Sequence, residues 1–438
     1  MGTRPIVRSG AGADRWFEIK TKIHHKLLNS LNPEQLRTLN KESVRTQIGL
    51  VVERLVADEG IPMTLDGRER VIEEILDEVF GLGPLEPLLK DPTISDIMVN
   101  GFENVYIERA GKVIETNIRF KDQAHVRMII ERIVSAIGRR IDYSSPIVDA
   151  RLADGARVCA VIPPLSLVGP VMSIRRYGKR VLNSEDLLKN ETLTPGMLDF
   201  LSGCVEARLN IVISCGSGSG KTTMLNNLSR FIPDEERIIT IEDTAELQLQ
   251  QNHVVRIETR PANIEGMGAI TQRDLVINTL RIRPDRIIVG ESRGAEALDM
   301  LQAMNTGHDG SMTTVHANAA RDAFARLETM VMMASQHVPD RVIRQQLASA
   351  INIVVQVARL SDGTRKVMQI GEVTGVEDDQ VQMHDLLEYE RTGISNRGRV
   401  LGKFKGNGIT PICMERLKAY GVHLSPAIFK EVHEVKDK

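Results

Sequence analysis

The sequence predicts an α/β protein: a doubly wound, RecA-like parallel sheet around a phosphate-binding loop, preceded by an α+β domain and a small helical bundle. Three observations carry that prediction. A buried-strand pattern over residues 209–214 runs straight into the Gly-rich segment Cys215-Gly216-Ser217-Gly218-Ser219-Gly220-Lys221-Thr222-Thr223, and a helical pattern follows to Phe231. From about residue 199, apolar strand-like segments alternate with helical ones. Between 84 and 177, short strands and one helix follow one another without that alternation.

Length and composition bound the problem. A chain of 438 residues with 42% hydrophobic residues holds two or three ordinary domains. A net charge of −2 and only 3% aromatics argue against a nucleic-acid platform, which needs a cationic surface and stacking rings. The four cysteines, Cys159, Cys204, Cys215 and Cys413, form no CxxC pair, so neither a zinc ribbon nor a disulfide scaffold is expected, and a reducing cytoplasm fits. No apolar run reaches the ~18 residues of a membrane span, and any membrane attachment is expected to be peripheral.

The elements follow in order. Residues 1–14 are Gly/Arg-rich and expected to be disordered. Residues 15–80 show apolar residues at helical spacing, first Ile19, Ile23, Leu27 and Leu31, then over 44–57 and 68–80, which predicts the helical bundle. Gly81-Leu82-Gly83-Pro84 breaks the pattern. The α+β domain, 84–177, is expected to contain strands at 94–99, 104–108, 158–161 and 171–174 and a helix over 122–137. A linker spans 178–198. The parallel-sheet domain, 199–390, is expected to have further strands at 237–242, 254–259, 286–290 and 311–315, with helices over 271–280, 295–304 and 319–333. The tail, 391–438, carries five glycines before a short helix and receives no role.

The chemistry gathers at predicted strand ends. In the loop, Gly216, Ser217, Gly218, Ser219 and Gly220 offer backbone N–H groups to phosphate, Lys221 reaches the β and γ phosphates, and Thr222, followed by Thr223, can hold Mg²⁺. The usual pattern has Gly where this chain has Cys215. Glu291 ends the apolar run 286–290, and in phosphate-loop enzymes a strand beside the loop strand delivers such a carboxylate to Mg²⁺ or to the attacking water. Glu242 and Asp243 end another apolar strand, either as a water-holding pair or as a solvated cap. His308 and His316 flank a strand; with no third ligand in spacing, a nucleotide sensor fits better than a metal site. Arg139, Arg140, Arg151, Arg157, Arg175 and Arg176 crowd the end of the α+β domain, as a solvated face or as cations for the γ-phosphate.

Taken in order, the loop, Glu242-Asp243-x-x-Glu246, Ile288-Val289-Gly290-Glu291-x-Arg293 and Gly307-His308 through Thr314-x-His316 resemble the four boxes of the secretion ATPase superfamily, which powers type II and type IV secretion and type IV pili. The resemblance spans roughly residues 90–390. The segment from Asp149 to Val158, Ile162-Pro163-Pro164, Ser173-Ile174-Arg175-Arg176 and the run from Leu298 to Gly307 look most like the CpaF-type motors of tight-adherence pili. The resemblance implies a PAS-like N-terminal domain and a cytoplasmic homo-hexameric ATPase using ATP and Mg²⁺, peripheral at the inner membrane, which drives a platform protein to extend, or extend and retract, a pilus. Alternatives are a type IV secretion or archaellum motor of the same fold, a DNA translocase, or a nucleotide-gated scaffold. By the same resemblance Lys221 and Thr222 bind phosphate and Mg²⁺, Glu291 and Glu242 are the catalytic acids, His308 and His316 sense the nucleotide, and Arg157 and Arg175 reach the phosphates. Two positions depart from the pattern: Cys215, which is expected to alter the loop or to offer an oxidisable thiol, and Ser292, where an apolar residue is more usual.

Overall fold

In a computed structural model, residues 41–58, 64–109, 111–176, 182–263, 266–335 and 337–435 are described. The expected disorder of 1–14 and the first expected helix lie outside them. The chain divides into two units, one ending at residue 179 and the other beginning at 180.

In the first unit, helices Lys41–Asp58 and Leu65–Phe80 share a core. Val44, Ile48, Val52 and Val56, spaced one helical turn apart, pack on Val71, Ile72, Ile75 and Leu76. The second helix starts where the Thr64 hydroxyl accepts the Gly67 N–H, and Gly81 follows its last turn. An antiparallel sheet comes next: β1 (Ile94–Asn100), β2 (Asn104–Arg109), β3 (Lys112–Glu115), β4 (Ile147–Arg151), β5 (Arg157–Val161) and β6 (Val171–Arg175), in the order β3-β2-β1-β6-β5-β4. Helix Gln123–Ala136, capped by Asp122, buries Val126, Ile129, Ile130 and Ile133 in the same core as Ile97, Val99, Val158 and Ile174. β3 and β4 are additions to the expected strands. All four residues of β3 are exposed, so no apolar side marks it in the sequence.

The second unit is built on a ten-stranded sheet. Its strands are β7 (Ile211–Cys215), β8 (Ile238–Glu242), β9 (Val254–Glu258), β10 (Arg286–Ser292), β11 (Met312–Val315), β12 (Ile353–Arg359), β13 (Arg365–Glu377), β14 (Gln380–Ile394), β15 (Val400–Gly406) and β16 (Val432–Glu434). The order is β16-β15-β14-β13-β12-β7-β11-β10-β8-β9. Neighbours from β12 to β9 are parallel and those from β12 to β16 antiparallel. β7 and β8 are buried along their whole length because both sheet faces are covered, which is why they read as mostly apolar runs without alternation. One face packs on helices Pro195–Glu206 and Lys221–Ser229 through Phe200, Met224 and Leu228. The other packs on helices Glu296–Asn305, Asp322–Ala334 and Asp340–Ala350 through Leu301, Leu327 and Leu347.

Two findings differ from expectation. β11 lies between β7 and β10, so the strand bearing Glu291 is not the loop strand's neighbour. Residue 390 falls inside β14, and Val400, Phe404, Leu417 and Phe429 of the segment that received no role belong to the core on the Lys221–Ser229 face. The glycines there serve close approach: a Cβ on Gly406 would stand 2.1 Å from the Phe429 carbonyl carbon. Part of the expected linker also joins this unit, as helix Ser184–Lys189 with an Asn183–Asp186 capping box. It is moored by Lys366, a buried lysine whose ammonium donates to the Glu191 carbonyl at 2.5 Å.

Candidate active site

The loop forms where β7 ends. Cys215 is its last strand residue and pairs with Val357 of β12. Gly218 and Gly220 have φ of +68° and +98°, in the left-handed region that favours glycine. The Ser219 hydroxyl closes the turn on the Gly216 carbonyl at 2.9 Å. Gly220 then opens helix Lys221–Ser229 with no side-chain cap, which leaves the first amides and the positive end of the helix dipole facing the loop. Cys215 itself is fully buried, and desolvation pushes its thiol up to about 12. The expected oxidisable thiol is therefore corrected: a buried, protonated thiol is a poor nucleophile, and Cys215 is a core residue.

Around this loop the carboxylates are placed by β8 and β10. Lys221 Nζ donates to Glu291 Oε1 at 2.7 Å, so the long lysine side chain spans the gap left by the intervening β11. Arg293 Nη2 donates to the other oxygen of Glu291 at 2.7 Å and Nη1 to Asp243 Oδ2 at 3.3 Å. Burial raises the Glu291 carboxyl, but Arg293 and Lys221 outweigh it and hold it below its ordinary value. Thr222 Oγ1 donates to Glu246 Oε2 at 3.2 Å. Glu242 faces inward, 4% exposed, and its Oε2 accepts the amides of Glu246 and Leu247 at 2.7 and 2.8 Å. Burial raises its carboxyl above the ordinary value despite those two donors. Its Oε1 is buried with no hydrogen-bond partner. Glu242 and the adjacent Asp243 do not act as a pair, because alternation along the strand end sends one into the core and the other to Arg293.

Glu246 and Arg293, quoted in the sequence motifs without a role, thus bond to Thr222 and to the Lys221 partner Glu291 respectively. Their signal was spacing alone, four residues after Glu242 and two after Glu291. Thr222 Oγ1 and Glu246 Oε2 are hard oxygen donors in contact beside the loop, and donors of this kind fit Mg²⁺.

The two histidines part company. β11 runs parallel to β7 with Met312 beside Ile211 and Val315 beside Ser214. His316 follows Val315, at the end of the sheet where the loop sits, and is exposed. His308 precedes the strand, so it lies at the opposite end, a strand length of roughly 13 Å away; its Nδ1 is buried without a partner. Residues flanking a strand necessarily land at opposite sheet ends, a point that spacing in sequence concealed. Arg157 and Arg175 sit in the first unit, opposite one another on β5 and β6, beside Asp149 (3.7 Å) and Asp96 (3.1 Å) respectively. Arg176 is a structural clamp there, donating to the Leu88 and Ile94 carbonyls at 3.3 and 3.4 Å.

A cavity of about 450 Å³ adjoins the loop. Ser219, Gly220, Thr223 and Met224 line it from the loop and its helix, and Leu187, Asn190, Arg365 and Arg399 line it from the moored segment and the antiparallel strands. Its mixed apolar and cationic wall is continuous with the phosphate loop.

A glycine-rich turn between a buried strand and a helix, with a lysine already engaged by a carboxylate from a strand two places away, defines a phosphate-loop protein of the parallel-sheet class. The family can be stated. Residues 78–400 match the type II/IV secretion system protein family and residues 16–80 the N-terminal domain of type II secretion system protein E, and the chain belongs to the first of these. A Mycobacterium tuberculosis protein named for conjugal transfer is 36% identical over 333 residues, covering 71% of this chain and 94% of that one. The conjugal transfer protein TrbB of Rhizobium radiobacter is 33% identical over 308 residues, covering 69% and 90%. Among solved structures, the VirB11 ATPase of the Brucella suis type IV secretion system, in complex with sulphate, is 28% identical and covers 66% of this chain and 96% of its own, with a TM-score of 0.37.

Proposed function

We propose that this chain is an ATPase motor that hydrolyses ATP to move a secretion or pilus machine. The observation that carries the reading is the Lys221–Glu291 contact at the open end of the loop helix. It places the phosphate-binding cation and a carboxylate held ionised within one contact of each other. When a triphosphate occupies the loop, its oxygens replace Glu291 as the partner of Lys221. Glu291, still oriented by Arg293, is then free to orient the attacking water and accept its proton. Thr222 and Glu246 would hold Mg²⁺, which supplies charge neutralisation on the phosphates. The cavity beyond Thr223 takes the ribose and base.

The finer reading is a cytoplasmic homo-hexamer of the tight-adherence pilus type. It rests on the motif run from Leu298 to Gly307 and on Arg157 and Arg175 as cations for the γ-phosphate. The named relatives favour a second reading within the same class, a conjugal or type IV secretion motor. Among the described residues no helix is long and apolar enough to cross a membrane; either reading takes a membrane platform protein as the partner. Capture of the direct partner from membranes separates the two.

The test of the shared reading is ATP turnover by the purified chain and its loss in Lys221→Ala, expected at 10²-fold or more by analogy with removing a single preorganised charge donor. Unchanged turnover in that variant refutes the assignment. A companion prediction concerns Cys215→Gly. It deletes a buried side chain from the core, so stability falls by about 1–2 kcal/mol, while turnover stays intact or rises. A thermal melt and a turnover assay read the two effects separately, and collapse of turnover would show that the loop depends on the thiol.

A further inference from the structure

The pairing of β10 with β11 decides where Glu291 points. Ile288 stands beside Met312 and Val289 beside Thr313, but the partner of Val315 is Ser292, so β10 advances three residues while β11 advances two. Gly290 and Glu291 together stand opposite Thr314. Such a bulge inserts one extra residue and resets the alternation of side chains beyond it.

The packing records the reset. Ile288 lies in the core on the loop-helix face with Met224 and Leu228, whereas Ile287, Val289 and Val315 lie in the core of the opposite face. Strict alternation would send Glu291 to the face of Ile287 and Val289, away from the loop. Instead its carboxylate meets Lys221. Ser292 takes the opposite face beside Val315, which accounts for a hydroxyl where an apolar residue is more usual. Its Oγ lies 2.8 Å from Thr313 Oγ1, and both residues are buried.

Two contacts fasten the bulge. The fully buried Thr314 donates through Oγ1 to the Gly290 carbonyl at 2.7 Å, from the residue directly opposite the insertion. The Ser292–Thr313 pair fixes the strand just beyond it. Gly290 accommodates the turn, since a Cβ there would stand 3.0 Å from Glu242 Cγ.

We propose that Thr314 is a positioning residue for ATP hydrolysis: its hydroxyl, supported by the Ser292–Thr313 pair, sets the bulge that turns Glu291 onto the loop. The proposal rests on the ATPase reading, and its test separates the two. Thr314→Val keeps the branched shape and removes the donor; Thr314→Ser keeps the donor. Steady-state kinetics of the full chain with Mg·ATP should show kcat of Thr314→Val down by about 10- to 100-fold, KM within about twofold of wild type, and Thr314→Ser restored. Equal losses in both variants, or a wild-type kcat in Thr314→Val, overturn the proposal. Crystal structures of nucleotide-free wild type and Thr314→Val give a readout independent of turnover. Glu291 is expected to leave Lys221 in the variant, and an unchanged pair with an unchanged bulge overturns the proposal even if the wild type hydrolyses nothing. A wild type without turnover counts instead against the ATPase reading. Should Thr314→Val not fold, Ser292→Ala carries the same two measurements, with a smaller fall in kcat expected.

Discussion

Glu291→Gln should bind ATP with near wild-type affinity and lose about 10²–10⁴-fold in turnover, the range for removal of a general base. The amide keeps the size of the carboxylate and can still meet Lys221 and Arg293 through its oxygen, so the loop and its helix are left in place. What it cannot do is accept a proton from water. About 4 kcal/mol of transition-state stabilisation corresponds to a thousandfold loss, which is the midpoint of that range. Affinity should hold or improve, because the ionic competitor for Lys221, 2.7 Å away, has been neutralised. Nucleotide titration paired with single-turnover hydrolysis checks both halves. Hydrolysis at the wild-type rate would remove Glu291 from the mechanism and leave Glu242, whose Oε1 is buried with no hydrogen-bond partner.

Gly310→Ala should unfold the second unit at a much lower temperature. A Cβ at residue 310 would stand 1.9 Å from Nη1 of Arg286, and Gly310 has φ +81°, so the added methyl is both overlapped and strained. The guanidinium cannot yield cheaply. Arg286 is 0% exposed, donates twice to Glu236 at 2.5 and 3.1 Å, and donates to the Gly310 carbonyl at 3.2 Å. Displacing it breaks a buried ion pair, a change that costs about 3–5 kcal/mol. For a unit of this size that is on the order of a 10 °C drop in Tm. A melt of the purified variant decides it, and a drop of a degree or two would mean that Arg286 has another place to go.

The site was legible in the sequence to the extent that its parts lie at ends of doubly buried strands. The runs 209–214 and 286–290 read as strands because β7 and β10 are covered on both faces, and Lys221 and Glu291 stand at their ends and meet. What escaped the reading is whatever depends on lateral order. No local pattern shows that β11 is threaded between those two strands, or that one extra residue turns Glu291 to the loop. His308 and His316 looked alike as flanking residues, yet a parallel strand carries them to opposite ends of the sheet. β15 was hidden for another reason: Gly406, which looks like a loop signal, lets the backbone of Phe429 and Lys430 approach closely.

The strand order also has a bearing on how this protein is made. β7 is flanked by β11 and β12, and Asn210, just ahead of it, bonds to Asn352 across 142 positions of chain. At ribosomal speeds of about 5–20 residues per second, the loop strand waits on the order of ten seconds or more for its second neighbour to be synthesised. Until β11 is made this mostly apolar strand has neither side of its backbone paired, and until β12 is made one side stays open. Such non-local pairing is slow to form and prone to aggregation, so the yield of active protein should track the rate of translation and the supply of chaperones more closely than the stability of the finished fold.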